Sequence, residues 1–229
     1  MKQITLFIIT MFIVFSCSLD KKENSIIDVD GNKYKTVYIG EQLWTAQNLN
    51  VTKFQNGDLI IEAKTKAEWK LAIQNKQPAW CFYNFSKKNG KKYGKLYNRY
   101  SVIDSRALAP EGWKIPNYQD WEKLINFLSQ NDLNIDIGLK MKSKNGWNSN
   151  GNGTNESGFN GLPGGGIDCF AEFKNIGELG CWWLPKKENM RINMVLCFVN
   201  GELGLPGDEN FDCGERSNAG MSIRCIKSN

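Results

Sequence analysis

The sequence of 229 residues predicts an α+β domain with a few short helices, many short strands and long loops. Three observations predict it. Two segments have capped, amphipathic helical patterns, one segment has a strand–turn–strand pattern, and beyond residue 140 Gly/Asn-rich loops alternate with short apolar runs. Composition is even from residue 28 onward, so we expect a single domain over residues 28–229.

The residues before this domain have the pattern of a bacterial lipoprotein leader. Lys2 precedes the apolar run ITLFIITMFIVFS, which is too short to span a bilayer stably. The run ends in the lipobox VFSC, which predicts a signal peptide over residues 1–16, acylation of Cys17 with palmitate-like chains and a tether over residues 17–27. An ordinary secretory signal with a chance cysteine is the alternative. Lipidation predicts a cell-envelope location, and Ser18 is compatible with an outer-membrane lipoprotein facing the periplasm or the surface.

The charge pattern argues against a nucleic-acid partner. The net charge of +5 is mild for this length, it falls by one when Lys2 is removed, and export argues further against nucleic acid. The local cluster KKNGKK, Lys87 to Lys92, is interpreted as a solvated loop tip. Anionic glycans or lipid headgroups are its alternative partners.

Cysteine and histidine content limit the chemistry. Six cysteines remain beyond Cys17, and an even number in an oxidising compartment predicts disulfides. They are Cys81, Cys169, Cys181, Cys197, Cys213 and Cys225. There is no C-x-x-C motif, which argues against a thioredoxin-like dithiol or a ribbon zinc site. The chain has no histidine, which excludes Ser-His-Asp and Cys-His catalysis and His-ligated zinc.

The predicted elements begin with a turn at DVDGN, Asp28 to Asn32, followed by a hairpin in KYKTVYIGEQLWTAQNL. A calcium loop is the alternative for DVDGN, but Gly31 stands one position too early for it. TKAEWKLAIQ predicts a short helix with Thr65 and Glu68 in capping-box spacing.

The clearest helical pattern is PNYQDWEKLINFLSQ, which Asn117 can cap, with Asp120 in the first turn. Its apolar stripe is interpreted as a core face and consists of Trp121, Leu124, Ile125 and Leu128. Beyond residue 140 we expect short strands in GFNGL, CWWLP, NMVLCFV and MSIRCIK.

Six motifs occur in a characteristic order: DGNKYKTVYIGEQLWTAQNLN, YGKLYNRYSV, LAPEGWKIPNYQDWEKL, TNESGFNGLPGG, CWW and MSIRCIK. Together they resemble the Fibrobacter succinogenes major paralogous domain family (FISUMP) over about residues 28–227. The family is grouped with the C-type-lectin-like folds. The resemblance therefore implies a C-type-lectin-like domain, in which short helices flank small twisted antiparallel sheets, the terminal strands lie close together and the loops are long. It implies a fold and a setting more than an activity.

Four places depart from the usual pattern of the family. Arg99 stands where relatives often have Trp, and Lys114 where they often have His. Gly166 and Ile167 follow LPGG in place of a common Arg, and WWLP, Trp182 to Pro185, replaces WWS. Functions that relatives place at these positions are not carried over.

Motifs for calcium-dependent sugar binding and for catalysis in similar folds are absent. QPA at Gln77 and WNS at Trp147 are the nearest triplets to the calcium motifs, and both lack the carboxylate. Formylglycine-generating relatives use closely spaced cysteines, whereas Cys213 and Cys225 are twelve residues apart. We therefore predict that the protein is not an enzyme and has no catalytic residue, cofactor or bound metal. An envelope enzyme, hydrolytic or cysteine-redox, is the alternative.

Candidate binding residues are aromatic and acidic side chains on predicted loops. The aromatic candidates are Trp147, Trp182, Trp183 and Tyr93, and the acidic candidates are Asp208, Glu209 and Asp212. Each ring taken singly is more typical of a core residue, but we expect at least one to be exposed and to contact a glycan or a protein. The acidic residues favour a solvated loop, with a cation site as the alternative.

The implied topology pairs the terminal strands, which predicts a disulfide between Cys81 and Cys225. Cys169 with Cys181, and Cys197 with Cys213, would each close a short loop. The stretch TNESGFNGLPGGG, residues 154–166, lacks the features of a phosphate loop or a dinucleotide fingerprint. We interpret it as a folding device in which Phe159 and Leu162 are buried and the glycines permit close backbone packing.

The sequence thus predicts a lipid-anchored, non-catalytic module of the cell envelope that binds a glycan or a protein. A structural surface-coat component without a small ligand is a further alternative. The oligomeric state is left open.

Overall fold

The computed structural model of the protein describes residues 25–130, 137–184 and 218–228, together with the backbone of residues 197–199 and 202–204. The helices are α1 (Lys66–Gln74), α2 (Lys87–Tyr93), α3 (Arg99–Val102), α4 (Tyr118–Ser129) and α5 (Ile137–Met141), with a 3-10 turn at Tyr83–Phe85. The strands are β1 (Ser25–Ile27), β2 (Lys33–Ile39), β3 (Gln42–Thr45), β4 (Ile61–Glu62), β5 (Ala79–Cys81), β6 (Leu96–Asn98), β7 (Trp113–Lys114), β8 (Gly166–Ile167), β9 (Phe173–Lys174), β10 (Cys197–Val199), β11 (Glu202–Gly204), β12 (Gly220–Met221) and β13 (Ile226–Lys227). The predicted α+β class is confirmed.

The strands form two main sheets. One has the order β1-β2-β3-β13-β7 and the other the order β4-β5-β6-β12-β8-β9, while β10 pairs with β11. All pairs are antiparallel except β4 with β5. The last two strands lie inside the sheets rather than at their edges. The segment from residue 220 to residue 227 therefore connects the two sheets.

The predicted hairpin is confirmed, since β2 and β3 pair from Thr36↔Thr45 to Ile39↔Gln42. The preceding DVDGN segment is a turn rather than a calcium loop. Its Asp28 carboxylate accepts hydrogen bonds from the backbone N–H groups of Asp30 and Asn32. The sheet begins earlier than the predicted boundary at residue 28, because Ser25–Ile27 pairs with β2 instead of belonging to the tether.

Both predicted helices are present. Thr65 caps α1 by accepting from Glu68 N, although the Glu68 carboxylate bonds Lys64 N rather than closing the capping box on Thr65. Asn117 and Asp120 form a complete capping box at the start of α4. The stripe on α4 packs into the core, with Trp121, Leu124 and Leu128 buried and Ile125 partly buried. No helix in the described part of the chain is long and apolar enough to cross a membrane.

Three local predictions are wrong. CWWLP is not a strand over its described residues, because only Trp182 makes a bridge there, to Ser222. KKNGKK is helical and not a loop tip, because Gly90 and Tyr93 are buried and hold α2 against the domain while its lysines stay in solvent. GFNGL is not a strand: only Gly161 makes a bridge, to Lys142, and other backbone groups of this stretch bond to side chains. The glycine-rich stretch is therefore an ordered loop.

Arg224 lies in the link between β12 and β13 and is completely buried. Its guanidinium donates to the carbonyls of Thr45 (2.8 Å), Phe159 (2.7 Å) and Asn160 (3.0 Å), and its Nε donates to Asn48 Oδ1 (2.8 Å). The guanidinium carbon also stands 4.4 Å from the centre of the Phe159 ring. Burial lowers the pKa of Arg224 to about 9, so the group remains charged at neutral pH. One side chain thus joins the hairpin, the glycine-rich loop and the C-terminal segment.

Asn48 completes this network, which we call the Arg224 network. Its Oδ1 accepts from both Arg224 Nε and Trp182 Nε1, and its Nδ2 donates to Tyr93 O (2.8 Å) and Ser222 Oγ (3.1 Å). The buried amide is therefore fully bonded. Buried polar groups satisfied in this way specify one arrangement of the core, because each alternative arrangement leaves a donor or an acceptor without a partner.

Replacing Arg224 by lysine is expected to destabilise the fold. A single ammonium cannot reach acceptors spread around a planar guanidinium, so backbone carbonyls of the glycine-rich loop lose their donor. The expected loss is about 3 kcal/mol in the free energy of unfolding, measured by urea denaturation. Arg106→Lys is the control, because Arg106 binds Asp104 and Asp58 in a partly exposed position and its replacement should cost about 1 kcal/mol or less. Equal losses for the two variants would contradict the role of Arg224.

Candidate functional site

The four aromatic candidates from the sequence are core residues. Trp182 and Trp183 are almost completely inaccessible, and Trp147 and Tyr93 are buried. The expectation that at least one ring is well exposed is wrong. The indole N–H groups are used inside the fold: Trp183 donates to Tyr97 O, and Trp147 donates to Ser143 Oγ and Gly161 O. Tyr93 borders a surface pocket.

The predicted disulfides that involve Cys81, Cys181 and Cys225 are not formed, although Cys169 itself is disulfide-bonded. Cys81, Cys181 and Cys225 are buried reduced thiols, so the pairs Cys81–Cys225 and Cys169–Cys181 are wrong. Cys81 lies on β5, whereas Cys225 precedes β13 in the other sheet and belongs to a different apolar cluster. Burial raises the pKa of the Cys81 and Cys225 thiols, which keeps them protonated.

Several candidates lie outside the described residues. These are Cys17 with the leader, Cys213, and the acidic residues Asp208, Glu209 and Asp212. The side chain of Cys197 is likewise outside the description, so the pair Cys197–Cys213 stays a prediction. Among the described residues, no group of three or more Cys, Asp or Glu side chains is arranged to hold a metal ion.

The positions that depart from the usual family pattern are occupied by residues that contact other parts of the fold. Arg99 is buried at the start of α3, with its guanidinium carbon 5.5 Å from the centre of the Tyr100 ring. Lys114 forms an ion pair with Asp120 at 2.8 Å. Gly166 and Ile167 form β8, in the second sheet.

A cleft of about 860 Å³ lies between the turn of the β2–β3 hairpin, helix α4 and strand β13. We call it the hairpin–helix cleft. Its lining residues are Tyr38, Ile39, Gly40, Glu41, Gln42, Leu43, Asp120, Lys123, Phe127, Ile226, Lys227 and Ser228. The volume lies within the range of about 300–1,000 Å³ that is typical of small-molecule sites.

Two aromatic rings are exposed in this cleft. Tyr38 is 48% exposed and Phe127 is 52% exposed. Alternation along β2 places Tyr38 on the face opposite to the buried Ile39. Phe127 lies beside the buried Leu128 on α4 but off its apolar stripe. The fold therefore presents both rings to solvent at one concave site.

Gly40 brings the hairpin turn against α4. Its φ is +60°, and a Cβ atom at this position would lie 3.0 Å from Cδ2 and Cγ of Phe127. The turn thus needs glycine for two reasons, the backbone angle and the contact with the ring. This contact sets the place of Phe127 at the edge of the cleft.

The charged groups of the cleft differ in whether they already have a hydrogen-bond or ion-pair partner. The Asp120 carboxylate accepts from Asn117 N at 2.9 Å and from Lys114 Nζ, so both of its oxygens are occupied. Glu41 and Lys123 are exposed and form no ion pair with a described residue. The cleft therefore offers the Glu41 carboxylate and the Lys123 ammonium to a ligand, and its lining contains a further exposed lysine, Lys227.

Gln42 carries an unsatisfied polar atom in the wall of the cleft. Its Nε2 donates to Asp120 O at 2.9 Å, whereas its buried Oε1 has no hydrogen-bond partner among the described residues. A buried acceptor without a donor is costly unless a ligand or water supplies one. Gln42 Oε1 is therefore a buried acceptor in the cleft wall that no described residue satisfies.

The fold and the site together define an α+β protein with two mainly antiparallel sheets and a surface cleft that bears two exposed rings. The chain belongs to the Fibrobacter succinogenes major domain family, which it matches over residues 37–227. No curated protein and no solved structure matches the chain.

Replacing Gly40 by alanine tests the packing that shapes the cleft. Gly31→Ala is the matched control, because Gly31 also has a positive φ but a Cβ there would meet nothing within 4 Å. The control should cost about 1 kcal/mol from backbone strain, and Gly40→Ala about 1 kcal/mol more because the Phe127 ring must move. Thermal unfolding measures both. Equal costs would mean that the contact with Phe127 does not constrain the turn.

Proposed function

We propose that the protein is a non-catalytic saccharide-binding module that uses the hairpin–helix cleft. The observation that carries the proposal is the presence of two half-exposed rings, Tyr38 and Phe127, in one concave site. A sugar ring has an apolar face of C–H groups, and an exposed aromatic ring offers a matching surface. Exposed rings in a concave site are otherwise costly to keep in water.

The polar groups of the cleft support the same proposal. Saccharide hydroxyls both donate and accept hydrogen bonds, so a site that binds them needs acceptors and donors close together. The Glu41 carboxylate is an acceptor, and the ammonium groups of Lys123 and Lys227 are donors. The site thus combines apolar surface with a small number of polar groups, which is typical of ligand pockets.

The described chemistry favours binding over catalysis. Of the two cleft carboxylates, Asp120 is held by an ion pair and by the capping box of α4, so it is poorly placed to exchange a proton with a substrate. The buried Cys81 and Cys225 have raised pKa values and are protonated, which disfavours a thiolate reaction at these positions.

The setting of the module is part of the proposal. The lipobox before Cys17 supports attachment to the cell envelope through acyl chains, in a bacterial outer-membrane lipoprotein. The pairing of β3 with β13 and the presence of two longer helices, α1 and α4, support a C-type-lectin-like arrangement. The mild net charge argues against a nucleic-acid partner.

The binding test uses the full chain in a detergent without a sugar headgroup. Neutral oligosaccharides, namely cellohexaose, xylohexaose and chitohexaose, are titrated by calorimetry. We expect at least one of them to bind, and Tyr38→Ala and Phe127→Ala each to weaken that binding about tenfold or more, which corresponds to about 1.4 kcal/mol.

The controls for this test are aromatic residues of similar exposure outside the cleft. Tyr118 is 49% exposed at the start of α4, and Phe170 is also exposed. Tyr118→Ala and Phe170→Ala should leave the affinity unchanged. Absence of binding to all three sugars, or equal losses for the control variants, would overturn the proposal.

Attachment to the envelope is tested at Cys17. Replacement of Cys17 by serine removes the thiol that would carry the acyl chain, so incorporation of labelled palmitate and recovery in the membrane fraction should both be lost. Ser18→Ala, which alters the adjacent residue and keeps the thiol, should retain both. Palmitate labelling that survives Cys17→Ser would contradict the predicted anchor.

A further inference from the structure

A second concave site lies where helix α2 faces two loops, one with Gly146 and Asn148 and the other with Ile176 and Gly177. Its volume is about 440 Å³, and we call it the basic pocket. Its lining residues are Lys88, Asn89, Lys92, Tyr93, Gly146, Asn148, Ile176 and Gly177. We propose that the basic pocket binds an anionic saccharide, a sugar that carries a carboxylate or a phosphate group. This site goes beyond the hairpin–helix cleft and shares no residue with it.

Helix α2 is held rigidly, so its lysines have a defined place. A Cβ atom at Gly90 would lie 2.1 Å from Cδ1 of Phe82, which means that only glycine lets the helix pack on that ring. Asn89 Nδ2 donates to Tyr83 O at 3.0 Å. Lys88 and Lys92 are four residues apart and therefore project from the same side of the helix. That side faces the pocket.

The positive charge of α2 is not neutralised within the described fold. Lys87, Lys88, Lys91 and Lys92 are exposed, and none of them forms an ion pair with a described residue. The Lys92 Nζ lies 4.8 Å from the centre of the Tyr93 ring, at the pocket. The described lining contains two ammonium groups and no carboxylate. Its charge is therefore complementary to an anion.

The opposite wall of the basic pocket depends on two glycines with positive φ. A Cβ atom at Gly146 would lie 3.7 Å from Lys92 Nζ and would narrow the pocket. Gly177 lies directly under the Asn148 carboxamide, whose nearest atom would be 2.6 Å from a Cβ there. Asn148 N donates to Gly177 O at 2.8 Å, which ties the two loops together. The two glycines thus leave the pocket open and allow the Asn148 carboxamide to line it.

The shape and the neutral groups favour a sugar over a lipid surface. A flat membrane is bound by lysines on a convex or planar patch, whereas Lys88 and Lys92 line a concavity. Asn89 and Asn148 add carboxamides that can bond hydroxyls, and Tyr93 adds part of a ring at the edge. These groups have no role in recognising a headgroup charge alone.

The test compares two double variants of the full chain with the same change of charge on the same helix. K88Q/K92Q removes the pocket lysines, and K87Q/K91Q removes the lysines outside it. The probes are trigalacturonate for the carboxylate form and glucose 1-phosphate for the phosphate form, both titrated at low salt. We expect at least one probe to bind, K88Q/K92Q to weaken its binding at least tenfold, and K87Q/K91Q to weaken it less than threefold. Asn148→Ala should weaken it about threefold.

Three outcomes would overturn the proposal. The first is that neither probe binds, and the second is that the two double variants lose equal affinity. The third is that vesicles containing phosphatidylglycerol bind and K88Q/K92Q abolishes that binding, while neither probe binds. The last outcome assigns the pocket to a membrane surface. Tyr38→Ala should leave the binding of both anionic probes unchanged. Failure at the basic pocket is thereby separated from failure at the hairpin–helix cleft.

Discussion

The fold depends on keeping the charge of Arg224 in its interior. A buried guanidinium is tolerated only when its N–H groups meet acceptors, since otherwise its loss of hydration is not compensated. Here the acceptors are backbone carbonyls of the hairpin and of the glycine-rich loop, with the Asn48 amide oxygen. The loop must therefore bend so that the carbonyls of residues 159 and 160 point inward. A regular strand at GFNGL would direct them to a neighbouring strand instead.

Surrounding aromatic residues depend on the same arrangement. The Phe159 ring lies between two indoles, with its centre 5.3 Å from that of Trp182 and 5.6 Å from that of Trp121. The ring centre of Trp44 lies 4.9 Å from that of Trp121. The Arg224 network fixes the backbone of Phe159 at the centre of this cluster, so α4 packs on a surface that the network has already positioned. The cleft beside α4 inherits its shape from that packing.

Elements governed by local rules could be predicted from the sequence, and those governed by distant contacts could not. The capping box of Asn117 and Asp120 acts within a few residues, as does the alternation of buried and exposed residues through β2 and β3. Both can therefore be recognised directly in the sequence. The role of Arg224 has no local signature, because its acceptors come from other segments. KKNGKK has a poor helical pattern in the sequence, and the burial of Gly90 against the Phe82 ring outweighs it. Tyr38 has a readable signal in the sequence, namely its outward position in the alternating pattern of β2.

The central position of β12 and β13 has a consequence for how the chain folds. Arg224 reaches Thr45 across 179 residues, and β13 pairs with β3 across a similar separation. Contacts this distant in sequence must close a long loop before they contribute stability, which slows folding. Each of the two sheets is complete only when residues 220 to 227 supply its inner strand, so both sheets depend on the same long-range closure of the chain.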